Sequence, residues 1–468
     1  MILLPSVFPV CLGFQRKPSH LFSPLLFSQM PSATLVVDNG SYTIKAGFAA
    51  GETCITIPNC IARTRDKRVL IGHQLENCRD FGSAVFRRPV EKGYLVNWEA
   101  EKEIWDRTFL DSESKLKCDP RNTTLLLTEA PNAPSALQTN CDQMVFEEYE
   151  FSAYYRCIGP TLIPWNDITK LYPPENPPTL SPPAEAIMAI DSGFSHTHIT
   201  PIINGQLWNA AVRRIDIGGK FLTNYLKEMV STRTWNMMEE TYLINQVKES
   251  VCYISTNFNE DLEKCHGMRK AANDIAVDFV LPDYNSGKGG YRRPHVPKKQ
   301  PAFGSNDEQV MELSDERFSV PELLFAPQDI GLAQAGVAET IIQSLESVPE
   351  RYRSLLLANI VVVGGNANIP GFLERLEMEL RPLAPAESVV RIAKPDNPVT
   401  YTWQGGAALA GNRSEMKKRQ VTRAEYMEYG SMWCAKKMAG EASSVPGAGP
   451  TGTVERENRS HRKKRVEE

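Results

Sequence analysis

The stretch TLVVDNGSYTIKAGF, residues 34–48, contains two apolar segments separated by a polar turn. Polar and apolar side chains alternate between residues 42 and 46, which is the period of a β-strand with one buried face. The pair Asn39-Gly40 is typical of the tight turns that join antiparallel strands. We therefore predict a β-hairpin over residues 34–48.

A second stretch, AIMAIDSGFSHTHITPII at residues 186–203, has the same design. An apolar strand again ends in an aspartate, a small polar residue and a glycine, and a second strand follows. The two stretches lie about a third of the chain apart, a separation typical of an internal duplication. A chain of 468 residues is also too long for one ordinary core. These features predict two related lobes.

Apolar spacing predicts the remaining regular structure. Apolar residues recur at helical spacing in segments 98–109, 138–157, 218–229 and 242–253. Residues 360–363 form an apolar run that ends in Gly364-Gly365, which predicts a buried strand, a turn and then a helix from Gly371. The composition of segments 172–183 and 283–306 predicts exposed loops.

Composition excludes several broad classes of protein. The chain is 42% hydrophobic and 23% charged, values typical of a globular protein rather than of a disordered one. A net charge of -4 gives no overall nucleic-acid footprint, so any contact with DNA has to come from a local patch or through a partner. The ten cysteines include no CxxC pair, which favours scattered reduced thiols over a zinc site.

The beginning of the chain is predicted to lie outside the fold. Residues 2–14 are apolar but contain two prolines, and Arg16 and Lys17 follow them rather than precede them. That order is wrong for a signal peptide, and the run is too short to span a bilayer, so we expect no membrane partner. Because Met30 comes just before the first predicted strand, we interpret residues 1–31 as an unstructured extension or a misassigned start.

The end of the chain is also predicted to be unstructured. Residues 439–468 are rich in Gly, Ser, Pro and charge, a composition that cannot bury enough apolar surface to fold. The run RKKR at 462–465 is either a nuclear-import signal or part of a solvated charged tail.

The two predicted hairpins have a chemical use. Each offers backbone N–H groups that can hold phosphate oxygens, and each carries one carboxylate at a strand end, Asp38 or Asp191. Mg²⁺ binds phosphate through one or two carboxylates, so this supply is sufficient. Gly364-Gly365 follows a third strand, and the lack of side chains there lets the backbone approach a ligand closely. A turn without a ligand is the alternative at each position, because Asp-x-Gly turns are common for steric reasons.

Three motifs resemble those of the actin family. DNGSYTIKAGF (38–48) and IDSGFSHTHITPI (190–202) resemble its two phosphate loops, and VVVGGNANIPGF (361–372) resembles its adenosine motif. The resemblance runs from about residue 32 to about residue 433. It implies an α/β, actin-like ATPase fold with two related, RNase H-like lobes around a nucleotide cleft. The first lobe is then expected over 32–180 and 399–438, and the second over 181–398.

The resemblance also implies roles for individual residues. Nucleotide binding is implied for Asp38, Gly40, Ser41, Lys45, Asp191, Ser192, Gly193, Lys248, Glu249, Gly364 and Gly365. The cofactor would be ATP or ADP with Mg²⁺, and the metal would bind through water to Asp38 and Asp191. Gln143 and His198 match the positions that orient the attacking water if hydrolysis occurs. For His198, a histidine that is simply buried in a strand is an equal alternative.

Departures from the family pattern argue against catalysis. Tyr42 stands where actin has a glycine, and Phe194-Ser195 replaces an Asp-Gly pair in the second loop. A carboxylate is lost beside the phosphates, and two aromatic rings are added to turns that should be open. Phosphoryl transfer depends on positioned charge and a positioned water, so we expect slow or absent hydrolysis and assign no catalytic residue.

Several blocks resemble a nuclear, actin-related branch of the family more than conventional actin. Examples are FRRPVEKGYLVNW (86–98) and RFSVPELLFAPQDIG (317–331). The resemblance implies a subunit of an SWR-type chromatin-remodelling complex, which exchanges a variant histone into nucleosomes and contributes to transcription regulation. The expected partners are other subunits, and nucleosome or DNA through the complex. The expected location is the nucleus, with the cytoplasm as a second compartment.

Two other readings compete with the scaffold subunit. The first is a nucleotide-hydrolysing actin-like protein with a cytoskeletal role, but segment 63–86 carries RTRDKR where an apolar filament contact is needed, so filaments are not expected. A solvated charged face is an equal alternative for that run. The second is a sugar kinase or chaperone ATPase, which shares the fold, and blocks such as GYLVNW (93–98) argue against it.

The loop 283–306 is either a basic contact surface or a solvated loop. Its basic residues are Lys288, Arg292, Arg293, Lys298 and Lys299.

Overall fold

A computed structural model describes residues 33–78, 81, 84–172, 182–233, 236–266, 275–283, 287–295 and 308–439. These residues belong to one compact unit that begins at Ala33. The predicted N-terminal extension and the predicted tail beyond Ala439 lie outside the described ranges. Among the described helices, none combines the length and the apolar character that a membrane span requires.

The regular elements are numbered in chain order. The strands are β1 (Ala33–Asn39), β2 (Thr43–Phe48), β3 (Ile55–Pro58), β4 (Ile61–Arg63), β5 (Val69–Ile71), β6 (Val85–Arg87), β7 (Val90–Glu91), β8 (Tyr94–Leu95), β9 (Thr123–Glu129), β10 (Ala153–Ile158), β11 (Ala186–Ser192), β12 (Thr197–Ile203), β13 (Gln206–Leu207), β14 (Arg213–Ile215), β15 (Val277–Val280), β16 (Tyr291–Pro294), β17 (Val310–Leu313), β18 (Ile360–Val363), β19 (Ile392–Ala393) and β20 (Val421–Thr422). The helices are α1 (Trp98–Trp105), α2 (Ser135–Gln143), α3 (Gly219–Arg233), α4 (Thr241–Val251), α5 (Phe258–His266), α6 (Glu316–Glu322), α7 (Val337–Glu346), α8 (Glu350–Leu357), α9 (Phe372–Leu383), α10 (Tyr401–Gly411), α11 (Arg413–Arg419) and α12 (Arg423–Ala439).

Two six-stranded sheets repeat one arrangement. In the first sheet the order is β20-β10-β9-β1-β2-β3, with β1 and β2 as an antiparallel hairpin and β9 parallel to β1. In the second the order is β13-β12-β11-β18-β19, with β11 and β12 as the hairpin, β18 parallel to β11 and β14 paired with β12. Both predicted hairpins are confirmed, and the repeated strand order agrees with the predicted internal duplication.

The central strands are buried on both faces, which explains their continuous apolar sequence. In β1, Leu35 and Val37 pack into one core, whereas Val36 packs into another on the opposite face. In β11, Met188 and Ile190 likewise face a different core from Ile187. The period of two therefore divides each strand between two cores. This packing fixes the register and hence the position of the loop at the strand end.

The turn of the first hairpin differs from the prediction. Asn39 is still paired, opposite Ile44, so the connection is a loop over residues 40–43 rather than a tight turn on Asn39-Gly40. A Cβ atom on Gly40 would lie 2.7 Å from the Thr43 carbonyl oxygen. The glycine is therefore required by the close approach of two backbone segments. In the second hairpin, the pair Ser192 and Thr197 leaves an equivalent loop over residues 193–196.

The predicted helix over 138–157 is wrong in its second half. The helix α2 is continued by a π-helical turn over Met144–Glu148, but Ala153–Ile158 is the strand β10, which lies parallel to β9. The residues AYYRCI are rich in strand formers, and nearly all are buried. Their apolar spacing over a short run fits either structure, and the tertiary position between β9 and β20 decides in favour of the strand. The other three predicted helices are observed as α1, α3 and α4.

The two segments predicted to be exposed loops, 172–183 and 283–306, contain some buried or regular structure. Tyr172 is buried, and its hydroxyl donates a hydrogen bond to the Ile360 carbonyl oxygen at 3.2 Å, so the start of segment 172–183 belongs to the core. In segment 283–306, Tyr291–Pro294 forms β16, the edge strand of a three-stranded sheet with β15 and β17. Lys298 and Lys299 lie outside the described residues.

Candidate functional site

A cavity of about 520 Å³ lies between the loop over 40–43, here the first loop, and the loop over 193–196, the second loop. That volume is typical of small-molecule sites. Its walls include most of the predicted site residues, namely Asp38, Gly40, Ser41, Lys45, Asp191, Gly193, His198, Lys248, Glu249, Gly364 and Gly365. Ser192 and Gln143 are not among the residues that line it. The fold thus brings four distant segments of the chain to one place.

Asp38, at the end of β1, is satisfied by its own lobe. Its carboxylate accepts a hydrogen bond from the Thr128 hydroxyl at 2.8 Å, and Lys45 forms an ion pair with it at 3.3 Å. The first loop is held from outside by Asn59, whose side-chain amide donates to the Gly40 carbonyl oxygen at 3.0 Å. This loop and its carboxylate are therefore positioned without a ligand.

Asp191, at the end of β11, is in a different situation. No side-chain hydrogen bond or ion pair of Asp191 occurs among the described residues. Its pKa is raised to about 6, mainly by burial and secondly by the nearby Asp38, while Lys45 opposes the shift. A carboxylate in this position needs either a proton or a cation.

Ser192 has a structural rather than a ligand-facing position. It is fully buried, and its hydroxyl is hydrogen-bonded to Thr197 at 2.8 Å and to the amide of Asn366 at 3.1 Å. The same amide donates to the Gly193 carbonyl oxygen at 2.9 Å. Asn366 therefore ties the second loop to the turn after β18. The Ser192 hydroxyl is thus used inside the fold, and the implied role of Ser192 in nucleotide binding stays a prediction.

Gly364 is required where it stands. Its φ is 92°, and a Cβ atom would lie 2.3 Å from the Ser192 carbonyl oxygen and 2.9 Å from Oδ1 of Asp191. At Gly365 an added Cβ atom meets nothing within 4 Å. Of the two glycines, Gly364 secures the close packing of β18 against β11, and Gly365 leaves open space on the cavity wall.

Lys248 lines the cavity, but its ammonium group is used within the fold. It donates to the Gly219 carbonyl oxygen at 3.1 Å, to the Thr223 hydroxyl at 2.9 Å and to Oδ1 of Asn245 at 3.0 Å. These bonds use all its N–H donors, and burial lowers its pKa. Only its methylene groups remain for contact with a ligand. Glu249 accepts a hydrogen bond from Asn245 at 2.8 Å.

The two positions assigned to water orientation are not equivalent in the structure. His198 lines the cavity, and burial lowers its pKa to about 3, with His196 and Arg214 contributing in the same direction. It is therefore neutral at physiological pH. Gln143 ends α2 with an exposed side chain outside the cavity lining. The structure does not bring these two side chains together at the cavity.

The two aromatic replacements contact each other, which the sequence alone did not reveal. The Tyr42 and Phe194 rings lie with their centroids 4.7 Å apart, and the guanidinium of Arg88 lies 4.7 Å from the Tyr42 centroid and 5.1 Å from that of Phe194. The Tyr42 hydroxyl accepts a hydrogen bond from Asn245 at 3.2 Å. The signal was present in the sequence, since both loops carry an aromatic residue in place of a small or acidic one.

A magnesium ion fits the donor set through water rather than through a dense ligand cluster. Asp38 and Asp191 both line the cavity. Among the described residues, no group of three or more His, Cys, Asp or Glu side chains is arranged to hold a metal. One or two carboxylates with several waters is the usual binding mode of Mg²⁺ beside phosphate.

Comparison with known proteins agrees with this fold. The family model described as Actin matches residues 29–439. The actin-like protein arp6 of Aspergillus fumigatus is 49% identical over 447 residues, covering 88% of this chain and 96% of the relative. Actin-related protein 6 of Neurospora crassa is 46% identical over 425 residues, with 87% and 95% covered. Actin-related protein 6 of Drosophila melanogaster is 36% identical over 404 residues, with 86% and 98% covered. The chain belongs to the actin family and has its α/β fold of two related lobes.

Proposed function

We propose that this chain is a non-catalytic, actin-related subunit of a nuclear, SWR-type chromatin-remodelling complex. Such a complex exchanges a variant histone into nucleosomes, and the chain contributes to transcription regulation as a docking block for other subunits. In this proposal the cavity holds ATP or ADP with Mg²⁺, and hydrolysis is slow or absent.

The relatives support the subunit part of the proposal. They match nearly their full length, and their names identify them as actin-like or actin-related proteins rather than as conventional actins. The blocks over 86–98 and 317–331, which resemble the nuclear branch, both lie in the described fold. The nuclear complex itself rests on that resemblance.

The contact between Tyr42 and Phe194 carries the non-catalytic part. Both rings stand at loop positions that would face the terminal phosphates, and they replace a glycine and a carboxylate of the family pattern. Transfer of a phosphoryl group to water needs charges and a water molecule in fixed positions. The position of Gln143 outside the cavity lining argues in the same direction.

The basic loop gives weaker support for direct contact with DNA. Arg293 forms an ion pair with Glu308 at 2.7 Å, so its charge is compensated on the protein surface. Arg292 and Lys288 are exposed. We therefore propose that nucleosome contact is made mainly through the assembled complex.

The filament alternative has less support. The turn between β4 and β5 carries the charged run RTRDKR, and Arg68 pairs with Asp66 at its exposed tip. A repeating contact between protomers needs complementary apolar surface, which this tip does not offer. Sedimentation under conditions in which actin polymerises should leave the purified chain in the supernatant, and a pellet of filaments would support the cytoskeletal reading instead.

Nucleotide content and turnover test the cavity. Protein purified gently in Mg²⁺ should release ATP or ADP when denatured. In a single-turnover assay with labelled ATP, phosphate should form far more slowly than with conventional actin measured side by side. Cleavage at the rate of actin would contradict the non-catalytic proposal, and protein free of nucleotide at saturating ATP would contradict binding.

Affinity purification tests the subunit role. The tagged full chain, expressed at its normal level, should recover remodelling subunits and a histone variant from nuclear extract. Recovery of cytoskeletal partners in their place would overturn the assignment.

A further inference from the structure

Two aromatic contacts join elements from opposite sides of the cavity. In the inner contact, the Tyr42 ring of the first loop packs against the Phe194 ring of the second at an interplanar angle of 38°, and the Arg88 guanidinium lies over both rings. In the outer contact, Phe81 stacks on Tyr242 of α4 with ring centroids 3.8 Å apart and an interplanar angle of 17°. Each contact therefore brings together residues that lie far apart in the chain.

The inner contact is also held by hydrogen bonds. The Tyr42 carbonyl oxygen accepts from the Asn59 backbone N–H at 2.8 Å and from Arg88 at 3.4 Å. The Tyr42 hydroxyl accepts from Asn245 of α4 at 3.2 Å. Burial raises the pKa of Tyr42 to about 12, so the phenol stays neutral and keeps this bond at physiological pH.

The helix α4 connects both contacts with the cavity. Tyr242, Asn245 and Glu249 are spaced at i, i+3 and i+7, so they lie along one face of the helix. Tyr242 makes the outer contact and does not line the cavity, Asn245 makes the inner one, and Glu249 stands in the cavity wall. Phe86 adds a second ring against Tyr242, with centroids 5.9 Å apart.

We propose that these residues form an aromatic clasp, namely Tyr42, Phe194, Arg88, Tyr242, Phe81 and Phe86, which keeps the two loops together over a bound nucleotide. The clasp makes the nucleotide a resident ligand that exchanges slowly and stabilises the fold of the subunit. This inference rests on the proposed nucleotide binding, and it adds the regulation of exchange at the same cavity.

Simple packing of aromatic residues is the competing explanation. Packing alone predicts that removal of a ring affects stability but not exchange. The clasp predicts that opening of the cavity is rate-limiting in both directions, because a ligand can enter or leave only when the loops separate. Loss of the outer contact should therefore raise the association and dissociation rates together and change the affinity little.

The test uses the full chain loaded with a fluorescent ATP analogue and chased with excess ATP and Mg²⁺. The main variant is Tyr242→Ala, because its side chain does not line the cavity. Its dissociation rate should rise by about 10-fold or more, with a parallel rise in association. Tyr42→Phe keeps the ring and loses only the hydroxyl, so its rate should rise by about 2- to 10-fold.

A matched control removes an aromatic contact elsewhere. Tyr429 lies 5.3 Å from Trp433, centroid to centroid, in α12 and away from the cavity lining. Tyr429→Ala should leave both exchange rates unchanged. Equal rates in wild type and Tyr242→Ala, with both proteins folded by circular dichroism, would overturn the clasp.

A second readout does not depend on nucleotide. Hydrogen–deuterium exchange of the two loops should increase in Tyr242→Ala relative to wild type and Tyr429→Ala. If the analogue binds to none of these proteins, the proposed nucleotide function fails together with the slow release. Hydrogen–deuterium exchange of the loops then decides separately whether the clasp joins them. Equal protection of the loops in Tyr242→Ala and wild type would exclude the clasp.

Discussion

The first and second loops share a backbone design but differ in how their carboxylates are satisfied. Asp38 has both an ion pair with Lys45 and a hydrogen bond from Thr128. Among the described residues Asp191 has neither kind of partner, and its pKa is raised. Duplication of a hairpin thus preserves geometry, while the neighbouring side chains decide the electrostatics. The second loop is the one whose charge calls for a cation.

The loops also differ in what supports them. The first is braced by Asn59 from the same lobe, and behind it the carboxyl group of Glu101 is fully buried. The second is braced by Asn366 and by the close packing of Gly364. Variants at these supports test whether the two loops differ in this way.

The largest effect is expected at the brace of the second loop. Gly364→Ala should destabilise the protein by about 3–5 kcal/mol, because its Cβ atom would overlap the Ser192 carbonyl oxygen at a positive φ. Urea denaturation measures the change. The neighbouring Gly365→Ala is the control and should shift stability by less than about 1 kcal/mol, since its Cβ atom meets nothing within 4 Å. Similar losses in both variants would show that the close packing is not the cause.

The second effect concerns the support of the first loop. Burial raises the pKa of Glu101 to about 7. Within the described part of the chain, Oε2 of Glu101 and Oδ1 of Asn39 and Asn59 are buried acceptors without hydrogen-bond partners. When Glu101 is protonated at Oε2, the resulting O–H can donate a hydrogen bond to Oδ1 of Asn39 or Asn59. The pKa of Glu101 is higher in the folded than in the unfolded protein. The stability that comes from protonated Glu101 is therefore complete below its ordinary pKa and is lost as the pH rises through about 7.

Glu101→Gln should therefore flatten the dependence of stability on pH. Between pH 5 and pH 8 the wild type should lose roughly 2–3 kcal/mol more than the variant. Urea midpoints across this range measure the difference. Parallel curves for the two proteins would show that Glu101 does not titrate in this range.

The third effect contrasts the two aspartates directly. Without nucleotide and divalent cations, Asp191→Asn should stabilise the protein at pH 7.5 by about 1 kcal/mol, a value reduced by the solvent that reaches the cavity. The pKa of Asp191 is higher in the folded than in the unfolded protein, so the wild type loses the stability that comes from protonated Asp191 as the pH rises through about 6. At pH 4 Asp191 is protonated in the fold, and the gain in stability from Asp191→Asn should vanish. Asp38→Asn should destabilise by about 1–2 kcal/mol, because Lys45 loses its ion pair.

Thermal unfolding of the two variants side by side measures this contrast. Addition of Mg²⁺ with ADP should stabilise the wild type and should have a smaller effect on Asp191→Asn. If both variants without nucleotide changed in stability in the same direction, the proposed difference between the loops would be wrong.

The smallest effect is expected from the bond between the first loop and α4. Tyr42→Phe removes the hydroxyl that accepts from Asn245, and should cost about 1 kcal/mol. Tyr291→Phe is a suitable control, since the exposed hydroxyl of Tyr291 lies 3.5 Å from Glu308 and should contribute little. Equal midpoints for Tyr42→Phe and the wild type would remove this bond from the comparison.

Resemblance to the actin family named eleven of the residues that line the cavity. Sequence alone determined the two hairpins and the buried strand before Gly364. It did so because the period of two, the apolar runs and the glycines are local consequences of backbone geometry. Tertiary structure decided that Ala153–Ile158 is a strand and that Gln143 stands outside the cavity lining.

The tertiary structure also decided how the polar groups at the site are used. Ser192 and Lys248 match binding positions in sequence, but buried neighbours occupy the Ser192 hydroxyl and the Lys248 ammonium. Tyr42 and Phe194 are read from the sequence as separate obstacles, and in the fold they meet. A single sequence does not show which distant side chains meet, because hydrogen bonds and ring contacts depend on where separate elements pack.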